Sequence, residues 1–105
     1  MNGAIIPPNQ TLKKASSASE AISNATSEII VVAKGTATSV SAALTLTIPV
    51  LALESSSRYF MVSDSYNTAT VYHLQVVANK SSIVEARFYY GASEISGATI
   101  EYYYR

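Results

Sequence analysis

The chain has 105 residues, seven basic and seven acidic side chains, and no cysteine. That length makes one domain with at most an arm, and it can bury a core without cross-links. A net charge of zero argues against a nucleic-acid face or a polybasic membrane patch, and the lack of cysteine excludes disulfides, thiolate metal sites and a thiol nucleophile.

Residues 1–10 contain Pro7-Pro8, which disfavours helix and removes two backbone donors. They read as an extended arm. In residues 11–27, Leu12, Ala15, Ala18, Ile22 and Ala25 recur at helical spacing and the series continues to Ile29. The stripe is mostly alanine, so it is thin. It reads either as a partly helical segment packing on a like stripe in a neighbour or as a Ser-rich linker. The expected organisation is an N-terminal attachment arm over 1–27 and a β domain over 28–105. Ile5, Ile6, Leu12, Ile22, Ile29 and Val31 are the candidate assembly residues of that arm.

From residue 28 the period changes to two. "EIIVVAKG" is β-branched on both faces, which marks a strand covered on both sides. Its second face needs a cover, from the N-terminal segment, another protomer or the core. "SAALTLTIPV" points Leu44, Leu46 and Ile48 one way and Thr45 and Thr47 the other. Pro49 ends that strand or places it at an edge. "RYFMVS" separates Phe60 and Val62 from Tyr59 and Met61. "ATVYHLQVVA" separates Tyr72, Leu74, Val76 and Ala78 from Val71, His73, Gln75 and Val77. "IVEARFYYG" sends Val84, Ala86, Phe88 and Tyr90 inward. "ATIEYYYR" sends Ile100, Tyr102 and Tyr104 inward and leaves Tyr103 outside. Turn-like segments separate these runs. About six strands at regular spacing predict an all-β fold, an antiparallel β-sandwich or small barrel behind an extended or partly helical N-terminal arm.

Chemistry is thinly represented. His73 is the one histidine and sits mid-strand beside Gln75, with no acid at neighbouring same-face positions. No G-x-S-x-G elbow and no phosphate loop occurs. Asp64 is isolated, and Glu85 and Glu101 read as cross-strand partners of Arg87 and Arg105. The expectation is therefore no enzyme, no cofactor and no metal site. Tyrosine is more informative, because its ring stacks on sugars and fills protein interfaces alike. Tyr59, Tyr89 and Tyr103 fall on the polar faces and are the candidate surface residues; Tyr66 lies in a turn.

Charged residues are 13% of the chain, about half the usual share, and 16 Ser and 9 Thr take their place. Such a surface suits an extracellular or virion protein, or one packed against copies of itself. The three Asn-x-Ser/Thr sequons, at Asn9, Asn24 and Asn79, are what so much Ser and Thr gives by chance. No secretion signal or membrane span is legible.

The strand order "ALTLTIPV", "YFMVSD", "VYHLQVVANKSS", "VEARFYYG" and "ATIEYYYR" resembles the carboxyl-terminal modules of bacteriophage tail fibres, and is similar to the small H-type lectin sandwich. The resemblance covers residues 36–105. It implies a β-sandwich that follows a thinner stalk and forms a homo-oligomer, with a trimer favoured. The lectin pattern expects tryptophan in the last strand and this chain has none, so no ligand residue is carried over. The function expected is a non-catalytic virion structural protein, of the tail-fibre-tip or capsid-decoration type, that self-associates and docks through its N-terminal arm onto other virion proteins. Its setting would be the virion, assembled in the host cytoplasm and released by lysis. A carbohydrate-binding module that recognises a host surface glycan is the second expectation. An extracellular filament subunit assembling by strand addition is the third.

Overall fold

The computed structural model describes residues 11–37, 39–64 and 71–105, except the side chain of Val40. Ile5, Ile6, Asn9 and Tyr66 lie outside the described residues. The chain forms two four-stranded antiparallel sheets packed face to face, an all-β sandwich. Strand β1 is Lys13–Ala15, helix α1 is Ala18–Asn24, β2 is Glu28–Ala37 and β3 is Val40–Pro49. Strand β4 is Arg58–Ser63, β5 is Tyr72–Ala78 and β6 is Ile83–Tyr90. Strand β7 is Ser93–Glu94 and β8 is Thr99–Tyr104. The first sheet has the order β1-β8-β2-β3 and the second β4-β5-β6-β7.

The alternation in the sequence becomes the core directly. Ile29, Val31 and Ala33 from β2 and Ile48 from β3 meet Leu74, Val76 and Phe88 from the second sheet, each at 1% exposure or less. Burying a large apolar side chain contributes about 1.5–3 kcal/mol. Strand β3 lies over β4 and β5, and β2 over β6. Ile29 and Val31 are thus core residues of a central strand, not part of an attachment arm. On the opposite face of β2, Ile30 is also buried, at 7% exposure. Its register neighbours are Tyr103 on β8 and Thr47 on β3. Ile30 is therefore covered within its own sheet.

The segment expected as an arm folds onto the sandwich in part. Lys13–Ala15 pairs with Tyr102–Tyr104, which makes β1 an edge strand of the first sheet. Helix α1 then packs against β1, β8 and β6 and buries Ala21 completely. The Ser17 hydroxyl accepts from the Glu20 N–H at 3.1 Å, and the Glu20 carboxylate accepts from the Ser16 N–H at 2.7 Å. These bonds satisfy N–H groups that a helix start leaves unpaired. The Ser16 hydroxyl and then its N–H hold the Glu20 carboxyl below its ordinary pKa. Ile22 and Ala25 pack on the core margin, whereas Leu12 stays 42% exposed.

Strands β2 and β3 form a hairpin closed by the Ala37–Val40 pair. Ser39, just before Val40, has a φ of 68°, in the left-handed region. A non-glycine residue there costs about 1–2 kcal/mol. Ser39→Gly is therefore expected to stabilise the domain by about 0.5–1 kcal/mol, part of the gain being lost to a freer unfolded chain. Thermal melting of the two proteins checks this; an unchanged or lower Tm would refute it. Pro49 ends β3, and β3 is also an edge, so both readings of that proline hold.

One register shift changes a side-chain assignment. A bulge between Val77 and Ala78 brings Ala78 opposite Ile83. Ile83 packs at the core margin, and Val84, expected inside, is 55% exposed. An extra residue in one strand turns the side chains beyond it to the other face.

Candidate functional site

The outer face of the second sheet carries most of the candidate surface. In register across it run Ser63, His73, Tyr89 and Glu94, then Met61, Gln75 and Arg87, then Tyr59, Val77 and Glu85. The His73 and Tyr89 rings stack at 4.9 Å between centroids with planes 6° apart. This is a cross-strand pair that stabilises the sheet. Tyr89 is thereby half-buried against a neighbour of its own sheet. Arg87 reaches Glu85 at 3.3 Å and Glu94 at 3.5 Å. The Tyr89 hydroxyl, and then those two carboxylates, raise the guanidinium pKa further above its ordinary value.

Beside this polar row the same face turns apolar. Tyr59 is 57% exposed and Met61 49% exposed, and the Tyr59 hydroxyl donates to the Met61 sulfur at 3.3 Å. The bulge adds Val84 to this end of the sheet. Leu51, in the short 3-10 turn Val50–Ala52 after β3, is 96% exposed.

Tyr103 stands on the opposite side of the molecule, on the outer face of the first sheet. Its hydroxyl donates to Glu101 at 3.3 Å. Glu101 is shared by Lys14 and Lys34, each at 3.4 Å. Partial desolvation disfavours the Glu101 carboxylate, but the two ammonium groups outweigh it and lower the pKa. Glu101 was expected to pair with Arg105. Arg105 instead meets Glu28 at 2.6 Å, because β2 is the strand beside it. Tyr59, Tyr89 and Tyr103 therefore do not converge. Tyr59 and Tyr89 share a face but lie two rows apart, and Tyr103 is on the far sheet.

An open depression of about 550 Å³ lies at the hairpin end of the first sheet, lined by Lys34, Thr36, Ser41, Ser96 and Thr99 among others. Its polar side chains are hydroxyls and the Lys34 amine, all hydrogen-bonding groups. Among the described residues no three His, Cys, Asp or Glu side chains come together to hold a metal ion. No described helix is long and apolar enough to cross a membrane. Comparison with known proteins returns no matching family model, no matching curated protein and no matching solved structure.

Neither Leu51 nor Val84 is legible in the sequence as a surface feature. Leu51 follows an alternating run and reads as its continuation, and Val84 needed the bulge to be known. Neighbouring Asn79 does mark the turn: its side chain accepts from the N–H groups of Ser81 and Ser82 at 2.8 and 2.9 Å.

Proposed function

We propose that this chain is a non-catalytic structural module that assembles with copies of itself, with virion components as the setting its strand order resembles. The observation that carries the reading is the apolar surface a single chain leaves uncovered: Leu51, Tyr59, Met61 and Val84. Tyr59, Met61 and Val84 share the outer face of the second sheet, and exposed apolar groups gathered on one face favour protein contacts. The engagement of the ionisable groups supports the non-catalytic part. His73 is stacked on Tyr89, and Glu28, Glu54, Glu85, Glu94 and Glu101 each sit against an arginine or lysine. Light scattering over a concentration series tests the reading. Oligomers are expected; a monomer at every concentration would overturn it.

A second reading, binding of a host surface glycan, is favoured by Tyr59 alone, which is more than half exposed. It predicts that Tyr59→Ser abolishes binding on a glycan array while changing stability by no more than about 0.5 kcal/mol, as exposed substitutions do. A blank array for the parent protein would remove this reading and leave self-association standing.

A further inference from the structure

The strands at the rims of the two sheets are not alike. Strand β1 has three residues, two of them lysine, and β7 has two, one of them Glu94. Strand β4 is six residues long and carries Arg58. Shortness and charge are the means by which natural sheets keep their edges from pairing. Strand β3 has neither. It runs for ten residues without a charged side chain, and no strand among the described residues lies beyond it.

The register says which groups this edge offers. Arg105 and Glu28 exchange backbone hydrogen bonds, N–H to O at 3.1 and 3.0 Å. Even-numbered residues of β2 therefore bond towards β8, and odd-numbered ones towards β3. The β3 partners of those odd residues are Val40, Ala42, Leu44, Leu46 and Ile48. The N–H and C=O groups of Ser41, Ala43, Thr45 and Thr47 must then point away from the sheet. All four residues are exposed. Pro49, next in that series, has no N–H to offer.

We propose that β3 is where two copies of this chain join, antiparallel and edge to edge, into one continuous sheet about a two-fold axis. The inference rests on the self-association reading above and adds the β3 edge to it; of the exposed apolar side chains named there it engages Leu51, while Tyr59, Met61 and Val84 stay on the outer face of the second sheet. The strand is complementary to itself. With Leu44 opposite Leu44 of the second copy, Thr45 lies beside Ala43 and Thr47 beside Ser41. Every outward N–H then finds an outward C=O, giving about eight backbone hydrogen bonds. Pro49 falls just outside this register. Moving the pairing by one step of two residues would set Pro49 opposite Ser41 and forfeit a bond. No like charges meet in this arrangement, because β3 has none. It also gives Leu51 a neighbour, since this fully exposed side chain follows Pro49 along the same edge, towards the hairpin end of the second copy.

Light scattering combined with amide hydrogen exchange of the full chain tests the proposal. Wild type is expected to form dimers, with the amides of Ser41, Ala43, Thr45 and Thr47 gaining protection as concentration rises. Those of Ala42, Leu44 and Leu46 are expected to be protected already in the monomer. Thr45→Pro removes an N–H that the single sheet does not use, so loss of the dimer is expected with the monomer fold kept. Thr45→Lys, which retains the N–H and adds charge to the edge, guards against misfolding of the proline variant and is also expected to lose the dimer. Oligomers that survive both substitutions would overturn the β3 interface while leaving self-association intact. A wild type that stays monomeric would overturn both.

Discussion

Removal of residues 102–105 is expected to abolish cooperative folding. Strand β8 lies inside the first sheet, with β1 on one side and β2 on the other, so Tyr102, Tyr103 and Tyr104 are each paired twice. Tyr102 and Tyr104 follow Ile100 onto the core, and burial raises the pKa of the Tyr102 hydroxyl. Without these residues β1 has no partner, and α1 loses part of the strand it packs against. The backbone oxygen of Arg105 accepts from the N–H groups of Thr26, Ser27 and Glu28 at 3.2, 2.7 and 3.0 Å. That bonding, and the Arg105–Glu28 ion pair, go as well. Two aromatic side chains at about 2 kcal/mol each, plus the backbone bonds at about 1 kcal/mol each, match the whole stability of an ordinary domain, about 5–15 kcal/mol. Circular dichroism melting checks the outcome. A truncated chain with a transition near that of the parent would show the strand dispensable. Point variants give a finer reading: Tyr102→Ala is expected to cost about 2 kcal/mol or more and Tyr103→Ala less, as inward and outward positions differ.

The same strand shows what the sequence could and could not reveal. Period two separated Tyr102 and Tyr104 from Tyr103 because side chains on a strand alternate whatever its partners are. The identity of those partners carried no such local signal. Glu101 reads in the sequence as a cross-strand partner of Arg105, yet its cations, Lys14 and Lys34, come from the strands on either side. Strand β1 left no mark for a related reason. "KKA" has no strand pattern, and it becomes one only because β8 presents a free edge. Helix α1 was half legible. The alanine stripe marks a helical segment but begins at Leu12, ahead of the helix, whereas Ser17 with Glu20 three residues on is the capping signal that sets the start. The dispersion of Tyr59, Tyr89 and Tyr103 depended on which sheet each strand joined, and that follows from topology, not from alternation.

Gly35→Val is expected to destabilise the domain by more than about 3 kcal/mol, through overpacking of a site with no slack. Gly35 has no positive φ to explain it, unlike Gly91 at 60° and Gly97 at 77°. What explains it is space. A Cβ at this position would lie 3.0 Å from Cγ2 of Ile95, and 3.3 Å from both Cβ of Ala98 and Cδ2 of Phe88. Ile95 and Phe88 are buried, and the Phe88 ring stacks on Tyr72 at 5.8 Å, so neither neighbour can withdraw freely. Gly35→Ala adds one carbon and is expected to cost about 1–2 kcal/mol, reduced by the smaller entropy of its unfolded chain. Valine adds two more against the same wall. For a domain near this length each kcal/mol lowers Tm by about 4–8 °C, so the two variants should separate clearly on melting. Ile95→Ala supplies the decisive control. Alone it should cost about 2–4 kcal/mol by emptying a core position. Combined with Gly35→Ala it makes room for the new methyl, so the pair should cost less than the sum of the single changes. Strict additivity would show that the crowding lies elsewhere and that the close approach of β2 to the β7–β8 turn is not what requires glycine.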